Sequence, residues 1–348
     1  MKKLHVAIIG LGKISSIYLE NLSTTFNDRV QLVGVVDLIA SRAGEVAQKY
    51  QLKSYADVEE LLSDKDVDLV LNLTTPQSHF ELSKRALEAG KSVYVEKPLS
   101  LTVEQASELV VLAKKNNVLL GSAPDTFLGA GIQTCKKLIE DGWIGRPVAA
   151  TACMMNHGHE SWHPDPEFYY KSGGGPLFDM GPYYITALVH LLGPVDSVSA
   201  YAKKSFETRT ISSEPRKGEV ISVDVDTHIA GLLHFENGCV ATLVTSFDVH
   251  HHTLPNIEIY GTSGTLRVPD PNTFGGPVLF CPHTEKQFYE IPLLFGFAEN
   301  SRGYGVADMA QAINENRPVR PSGALALHVV TVMNRLLEAS EQKKQIEI

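Results

Sequence analysis

Lys97 is the residue of this chain best placed to do chemistry. It lies in Val95-Glu96-Lys97-Pro98, just after the short apolar run Ser92–Val95. Far upstream, Gly10-Leu11-Gly12 follows another apolar run, Val6 to Ile9, and opens a helix-like segment. In Gly10-x-Gly12 the first glycine permits a tight turn. The second lets the backbone approach a pyrophosphate at a helix N-terminus. Ser15 occupies the third position, so the helix sits slightly less close, and a plain strand–helix turn would read the same way without context. Asp37 supplies context: it ends the next apolar run, where a carboxylate binds the adenosine ribose hydroxyls. A carboxylate there repels a 2′-phosphate and favours NAD over NADP. Arg42 either pairs with such a phosphate or is a solvated residue at a helix start. A lysine at a strand's carboxyl end beside a nicotinamide is suited to proton chemistry.

The elements that must position these residues alternate. Val6 to Ile9, Gln31 to Asp37, Asp68 to Leu73, Ser92 to Val95 and Val118 to Gly121 are continuous apolar runs. Such runs predict a parallel sheet covered on both faces. Between them lie helical segments. Asp57-Val58-Glu59-Glu60 and Thr102-Val103-Glu104-Gln105 have capping-box spacing, and Gly90 is placed to end the helix from Ser78 to Ala89. Residues 1–122 are therefore expected to form a doubly wound, Rossmann-type domain.

From 123 to 348 the texture changes. Ile132 to Glu140 reads as a helix, Pro147 to Met155 as a strand, and Asn156 to Gly175 as a loop rich in His, Pro and Gly. A helix ending at Gly193 follows. Then come β-runs at Val195–Ala202, Val223–Phe235, Cys239–Val249, Asn256–Tyr260 and Thr265–Val268, separated by Gly, Pro and Asn. They predict one large, mostly antiparallel open sheet in a second α/β domain. Ala324 to Ser340 reads as a final amphipathic helix.

Composition excludes several classes. With 348 residues, two domains can each bury a core. A net charge of −9 supplies no basic field for nucleic acid or anionic lipid. Cys135, Cys153, Cys239 and Cys281 form no CxxC pair, which suits a reducing cytoplasm. Met1-Lys2-Lys3-Leu4 looks like a signal n-region, but the apolar run after it stops at Gly10, as a first strand would. No stretch approaches a membrane span.

Taken in order, several motifs carry a resemblance. They are Gly10-x-Gly12-x-Ile14 (with Lys13 in the turn), Asp37, Thr75-Pro76-x-x-His79, and Ala89-Gly90-Lys91-x-Val93-x-Val95-Glu96-Lys97-Pro98. Ile144-Gly145-Arg146-Pro147 and Gly173-Gly174-Gly175-x-Leu177-x-Asp179-x-Gly181 continue the series. The chain resembles the Gfo/Idh/MocA oxidoreductases, named for glucose–fructose oxidoreductase and inositol dehydrogenase. The resemblance implies a Rossmann domain, an α/β domain whose open sheet mediates a homodimer or homotetramer, and no metal. It places Thr74, Thr75, Pro76 and His79 on the nicotinamide side of the cofactor, with Glu96 and Lys97 beside it. Thr75-Pro76 also suits a plain helix N-terminus.

Most of that family carries a histidine four residues after the motif aspartate, as the acid/base for hydride transfer from a secondary alcohol. Here the position is Tyr183, as in a minority of branches. A phenol with a reference pKa of about 10 is a poor base. A Lys97 ammonium and a positive nicotinamide would favour its phenolate. The expectation is that Tyr183 exchanges the proton, Lys97 tunes it, and Asp179 orients substrate or lysine. Asp179 and Tyr183 share a face if that segment is one helix, although Pro182 either kinks it or marks its start. Tyr184 is the adjacent alternative, and a plain packing aromatic is the other reading of Tyr183.

His157, His159 and Trp162 sit in the loop before the Gly173 motif, where polar groups and an aromatic suit a polyhydroxylated ligand. Asp125 stands where many relatives have an Asn-Arg pair, which changes recognition there. His250 and His252 would share a strand face and hydrogen-bond substrate. Arg302 either reaches the pocket from a loop or is an exposed loop residue. His250-His251-His252, with His157, His159 and His163, invites a zinc reading, but zinc needs three or four converging ligands, and none is expected. The expected function is an NAD-dependent oxidoreductase interconverting a secondary alcohol and a ketone on a sugar, sugar derivative or cyclitol. The alternatives are a non-sugar diol dehydrogenase of the dihydrodiol type and a non-catalytic dinucleotide sensor.

Overall fold

Continuous apolar runs build the first sheet: β1 (Leu4–Ile9), β2 (Val30–Val36), β3 (Lys53–Ser54), β4 (Leu69–Asn72), β5 (Ser92–Val95) and β6 (Leu120–Ser122). In the computed structural model, which describes residues 2–348, their order is β3-β2-β1-β4-β5-β6 and every pairing is parallel. This is the doubly wound order, and it reverses between β1 and β4. Ile8, Leu69, Leu71 and Val93 are wholly buried, each stabilising the fold by about 1.5–3 kcal/mol. Helices α1 (Ser15–Ser23), α2 (Ala40–Tyr50), α3 (Val58–Ser63), α4 (Pro76–Glu88) and α5 (Val103–Lys115) connect the strands. Both expected caps form. Asp57 accepts from the Glu60 amide, Glu60 accepts in turn from the Ala56 amide, and Thr102 accepts from the Gln105 amide.

The second sheet is larger. After α6 (Ala130–Glu140) come β7 (Pro147–Met155), α7 (Gly175–Asp179), α8 (Gly181–Leu192), β8 (Val195–Lys203) and the small hairpin β9 (Thr208–Thr210) with β10 (Val220–Ser222). Then follow β11 (His228–Phe235), β12 (Val240–Ser246), β13 (Ile257–Gly261), β14 (Gly264–Val268), β15 (Val278–Pro282) and β16 (Tyr289–Ile291). A terminal β17 (Ile346–Glu347) completes nine strands in the order β16-β15-β14-β13-β7-β12-β11-β8-β17. Only β12 and β7 pair in parallel. On β11, Ile229, Leu233 and Phe235 are buried while Leu232 is 41% exposed. That alternation is the mark of a sheet with one covered face.

The division of the chain differs from the expected 1–122 and 123–348. One compact unit is Met1–Leu128 with Asn300–Val330, and the other is Gly129–Glu299 with Thr331–Ile348. Helix α9 (Tyr304–Glu315), which periodicity did not reveal, belongs to the first unit and packs on β6 and β2. The division crosses α10 (Gly323–Gln342) partway along. Hydrogen bonds explain the return of the chain. Asp125 Oδ2 accepts from the amides of Gly303 and Gly305 at 2.9 and 3.0 Å, and the Ser122 amide donates to Pro321 O.

One open reading is decided, in favour of Pro182 as a helix start, and one expectation is corrected. The helix before Gly193 is two helices, broken at Met180, and Pro182 lies in the first turn of α8. Asp179 therefore ends one helix and Tyr183 begins the next, rather than sharing one helical face. His250 and His252 do not lie in a strand, because β12 stops at Ser246. The Asp248 amide turns back to Ser246 Oγ, and the Asp248 carboxylate is taken by Arg209 and Thr227. No helix among the described residues is long and apolar enough to cross a membrane.

Candidate active-site residues

In the first unit the candidate residues collect at the carboxyl ends of three neighbouring strands. Gly10 follows β1, Thr74 follows β4 and Lys97 follows β5. Gly10 has φ +90°, and a Cβ there would come within 2.9 Å of Thr74 Cγ2. Only glycine fits that turn. Gly12 is different: a Cβ on it would meet nothing within 4 Å, which leaves a backbone cradle open. Helix α1 begins after Ile14 with no side-chain cap, and Ser15 turns its hydroxyl back to Gly12 O. Asp37 Oδ2 accepts from the Leu11 amide at 2.7 Å, while Oδ1 accepts from the Ile39 amide and faces Arg42 Nη1 at 3.4 Å. Leu38 and Ile39, both largely exposed, follow it and offer an apolar seat. An open glycine cradle, an uncapped helix start, a fixed carboxylate and an apolar seat fit a dinucleotide such as NAD. Arg42, 44% exposed in the first turn of α2 and facing Asp37, suits the reading of a solvated residue at a helix start.

Lys97 is held from below. Glu96 is 8% exposed; its Oε1 accepts from Tyr18 Oη at 2.7 Å and Oε2 from the Lys97 amide at 2.9 Å. Glu96 thus anchors the backbone that carries Lys97, and burial, with the Glu96 charge, holds the Tyr18 phenol protonated. The Lys97–Pro98 peptide is cis. His79 is buried, with Nδ1 2.7 Å from Pro98 O and Nε2 3.0 Å from Thr74 O. Burial lowers its pKa against the pull of those carbonyls, and a neutral ring donates to one of them. Asn72 completes the frame: Oδ1 accepts from the amide and hydroxyl of Thr74, and Nδ2 donates to His79 O. Thr75 and Pro76 start α4, so the plain helix-start reading holds for them. Asp125 is buried among backbone amides; desolvation raises its pKa to about 6. Its geometry serves the join to Gly303 and Gly305. Arg302 Nη1 donates to Asn300 Oδ1, and Arg302 O accepts from Asn21.

In the second unit the candidates lie around the loop after β7. Gly174 has no room for a Cβ, which would sit 2.6 Å from the carbonyls of Phe168 and Tyr169. The glycine run therefore presses α7 against that loop. At its far end, Asp179 Oδ2 lies 3.3 Å from His159 Nε2. His159 is 7% exposed and packs against the rings of Tyr169, Phe247 and Trp162. Tyr183 is 8% exposed in the first turn of α8. Its neighbour Tyr184 accepts from Asn256 Nδ2 at 2.7 Å, and burial pushes its pKa up. Burial therefore disfavours the Tyr184 phenolate.

The loop is fixed by a buried arginine that the sequence did not single out. Arg209 on β9 reaches Glu160 Oε1 at 3.2 Å, Phe247 O at 2.9 Å and the Asp248 carboxylate. Glu160 Oε2 accepts from Tyr170 Oη, and Glu160 O accepts from the Ser212 and Ser213 amides. His157 stacks on His250 at 3.6 Å; burial, then the His250 charge, lowers its pKa. His252 is half-buried, and Trp162 is 53% exposed. The histidines do not converge: among the described residues, no three His, Cys, Asp or Glu side chains group to hold a metal.

Comparison with known proteins covers both units. The model described as "Oxidoreductase family, NAD-binding Rossmann fold" matches residues 4–123, and that described as "GFO/IDH/MocA C-terminal domain" matches 132–267. D-glucoside 3-dehydrogenase of Escherichia coli is 29% identical over 266 residues, covering 74% of this chain and 75% of the relative. 1,5-Anhydro-D-fructose reductase of Ensifer adhaerens is 31% identical over 241 residues, covering 68% and 67%. An NAD-binding oxidoreductase structure from Klebsiella pneumoniae superposes with a TM-score of 0.87 at 22% identity, covering 100% of this chain and 99% of that one.

Proposed function

Because the chain belongs to the Gfo/Idh/MocA oxidoreductase family and is an NAD-dependent enzyme, we propose that it interconverts a secondary alcohol and a ketone on a sugar, sugar derivative or cyclitol. The observation that carries this reading is the shared strand edge. The cofactor turn after β1, Thr74 after β4 and Lys97 after β5 lie on consecutive strands, so turn and lysine are two inter-strand steps, roughly 10 Å, apart. Bound NAD supplies the hydride acceptor. The substrate C–H and O–H bonds break together, and the hydroxyl proton passes to Tyr183 Oη. In this reading Lys97 supplies the positive charge that the chemistry needs, and Asp179 orients Tyr183. Carrying a base and a lysine is more than a dinucleotide sensor requires. The names of the relatives support a polyol over a non-sugar diol.

NADH absorbance over a panel of glycosides, monosaccharides and inositols, with NAD and NADP compared, tests the reading. Turnover of at least one polyol with NAD is expected. Tight NAD binding with no turnover of any polyol would favour the sensor.

The same reading has the chain self-associate through the outward face of its large sheet. Tyr201 and Leu232, 71% and 41% exposed, support it. So does a shallow hollow of about 520 Å³ lined by Ser199, Tyr201, Ala230, Leu232 and Thr242. Light scattering on the full chain checks this, and a monomer would overturn it. A reducing cytoplasm is supported by four unpaired cysteines.

A further inference from the structure

We propose that His159 is a positioning residue, whose Nε2–H donates to Asp179 Oδ2 and fixes the carboxylate used in catalysis. The inference rests on the oxidoreductase reading and assigns His159 a part other than direct contact with substrate.

Three observations carry it. The first is the contact itself, 3.3 Å between two side chains that are 9% and 16% exposed. The second is the other ring nitrogen. His159 Nδ1 is buried with no hydrogen-bond partner. An imidazolium would bury an N–H donor there without an acceptor, whereas a neutral ring leaves only a lone pair. Geometry therefore selects the tautomer with its proton on Nε2, aimed at Asp179. Asp179 in turn acts as acceptor, which is what an ionised carboxylate does.

The third is the rigidity of the mount. The ring is caged by Tyr169 at 3.9 Å, Phe247 at 4.7 Å and Trp162 at 5.2 Å. His159 O accepts from the amides of Trp162 and His163. The next residue, Glu160, is pinned by Arg209 and Tyr170, and Asn156 Oδ1 holds the Gly158 amide. A catalytic carboxylate misplaced by about 1 Å costs ~100-fold in rate. A donor held this firmly prevents such a displacement.

The test uses the full chain and four variants. His159→Phe keeps a ring in the cage and removes the donor; His159→Gln places an amide N–H near the position of Nε2. With a polyol that the wild type oxidises, His159→Phe is expected to lose ~100-fold in kcat with unchanged affinity for NAD. His159→Gln should recover most of the loss. In an Asp179→Asn background, His159→Phe should add little, because the two residues act as one unit. A rise in polyol KM with unchanged kcat would overturn the proposal, since it would mark His159 as a substrate contact. Equal loss in the Phe and Gln variants, or losses that multiply, would overturn it too. Imidazole nitrogen NMR reads the tautomer without turnover, with His159→Phe assigning the signal. An Nε2–H signal that moves in Asp179→Asn supports the proposal, and an Nδ1–H tautomer defeats it. If the wild type oxidises no polyol, the oxidoreductase reading fails, and the NMR result still decides the hydrogen bond.

Discussion

The two units prepare their functional residues by different physical means. In the first, position comes from the backbone. Gly10 has its positive φ, Asp37 holds the Leu11 and Ile39 amides, and Glu96 holds the Lys97 amide. Each of these follows from being next to a strand end. In the second, position comes from side chains contributed by distant segments. Arg209 lies on β9, Glu160 and His159 in the loop after β7, Phe247 and Asp248 after β12, and Asp179 at the end of α7. A backbone-built site tolerates change in most of its neighbours. A side-chain-built site fails when one charged partner is removed. That is the arrangement to expect where the cofactor is constant and the substrate varies.

The sharpest challenge to the comparison comes from the residue proposed for the chemistry in each unit. Lys97→Ala and Tyr183→Phe are each expected to lose up to ~10⁴-fold in turnover, followed by NADH absorbance. NAD affinity, read by fluorescence titration, should survive both. Near-normal turnover in Tyr183→Phe would remove that residue from its role.

Next in size is the arginine. Arg209→Met leaves Glu160 and Asp248 buried with no counter-charge, so a loss of about 3–5 kcal/mol is expected, measured by urea unfolding. A loss under 1 kcal/mol would show that the second unit does not depend on its buried pairs.

Asp125 tests the first unit through pH. Its folded pKa of about 6 lies above the usual carboxylate value because of burial. The folded state therefore holds the proton more tightly than the unfolded chain. The resulting stability is complete below about pH 4 and is lost as pH rises through 6. Asp125→Asn cannot ionise and still accepts from Gly303 and Gly305. Relative to the wild type it should gain about 2–3 kcal/mol between pH 4 and pH 7.5, visible in paired unfolding curves. A pH-independent difference would show that the carboxylate is not desolvated.

The smallest effect is expected at Asp37. Asp37→Ala should weaken NAD roughly tenfold or more, as expected for losing a charged hydrogen-bond acceptor, and should narrow the preference over NADP. Unchanged preference would assign the discrimination elsewhere.

Much of the first unit was legible in the sequence, for the reason that makes it robust. Val6 to Ile9, Ser92 to Val95 and the caps at Asp57 and Thr102 are local signals, and local signals decide strand ends. The second unit was legible as a sheet but not as a site. Arg209 sits in an unremarkable Thr-Arg-Thr, and nothing nearby announces that Glu160 and Asp248 will converge on it. Sequence reading placed His159 in the right loop yet could not pair it with Asp179, because that pairing depends on how the loop folds back. It left open whether Pro182 kinks a helix or starts one, and α8 starts there; it expected a strand face for His250 and His252, although competing side-chain hydrogen bonds follow the end of β12 at Ser246. The pairing of Asp125 with Gly303 and Gly305 is the longest-range of these links and left no local trace.

That last pairing has a consequence for how the protein is made. The ribosome delivers β1 through β6 first, but the amides that Asp125 needs, and the helix α9 that covers β6, emerge only after the whole nine-stranded sheet except β17. The cofactor-binding unit is thus begun first and stays open until most of the other unit has been made; only Thr331–Ile348 of that unit follows it. Nascent chains stalled before residue 300 should stay open to protease around Asp125, and those extended past α10 should not. A mutation that slows the second unit would then delay NAD binding without touching any residue that contacts the nucleotide.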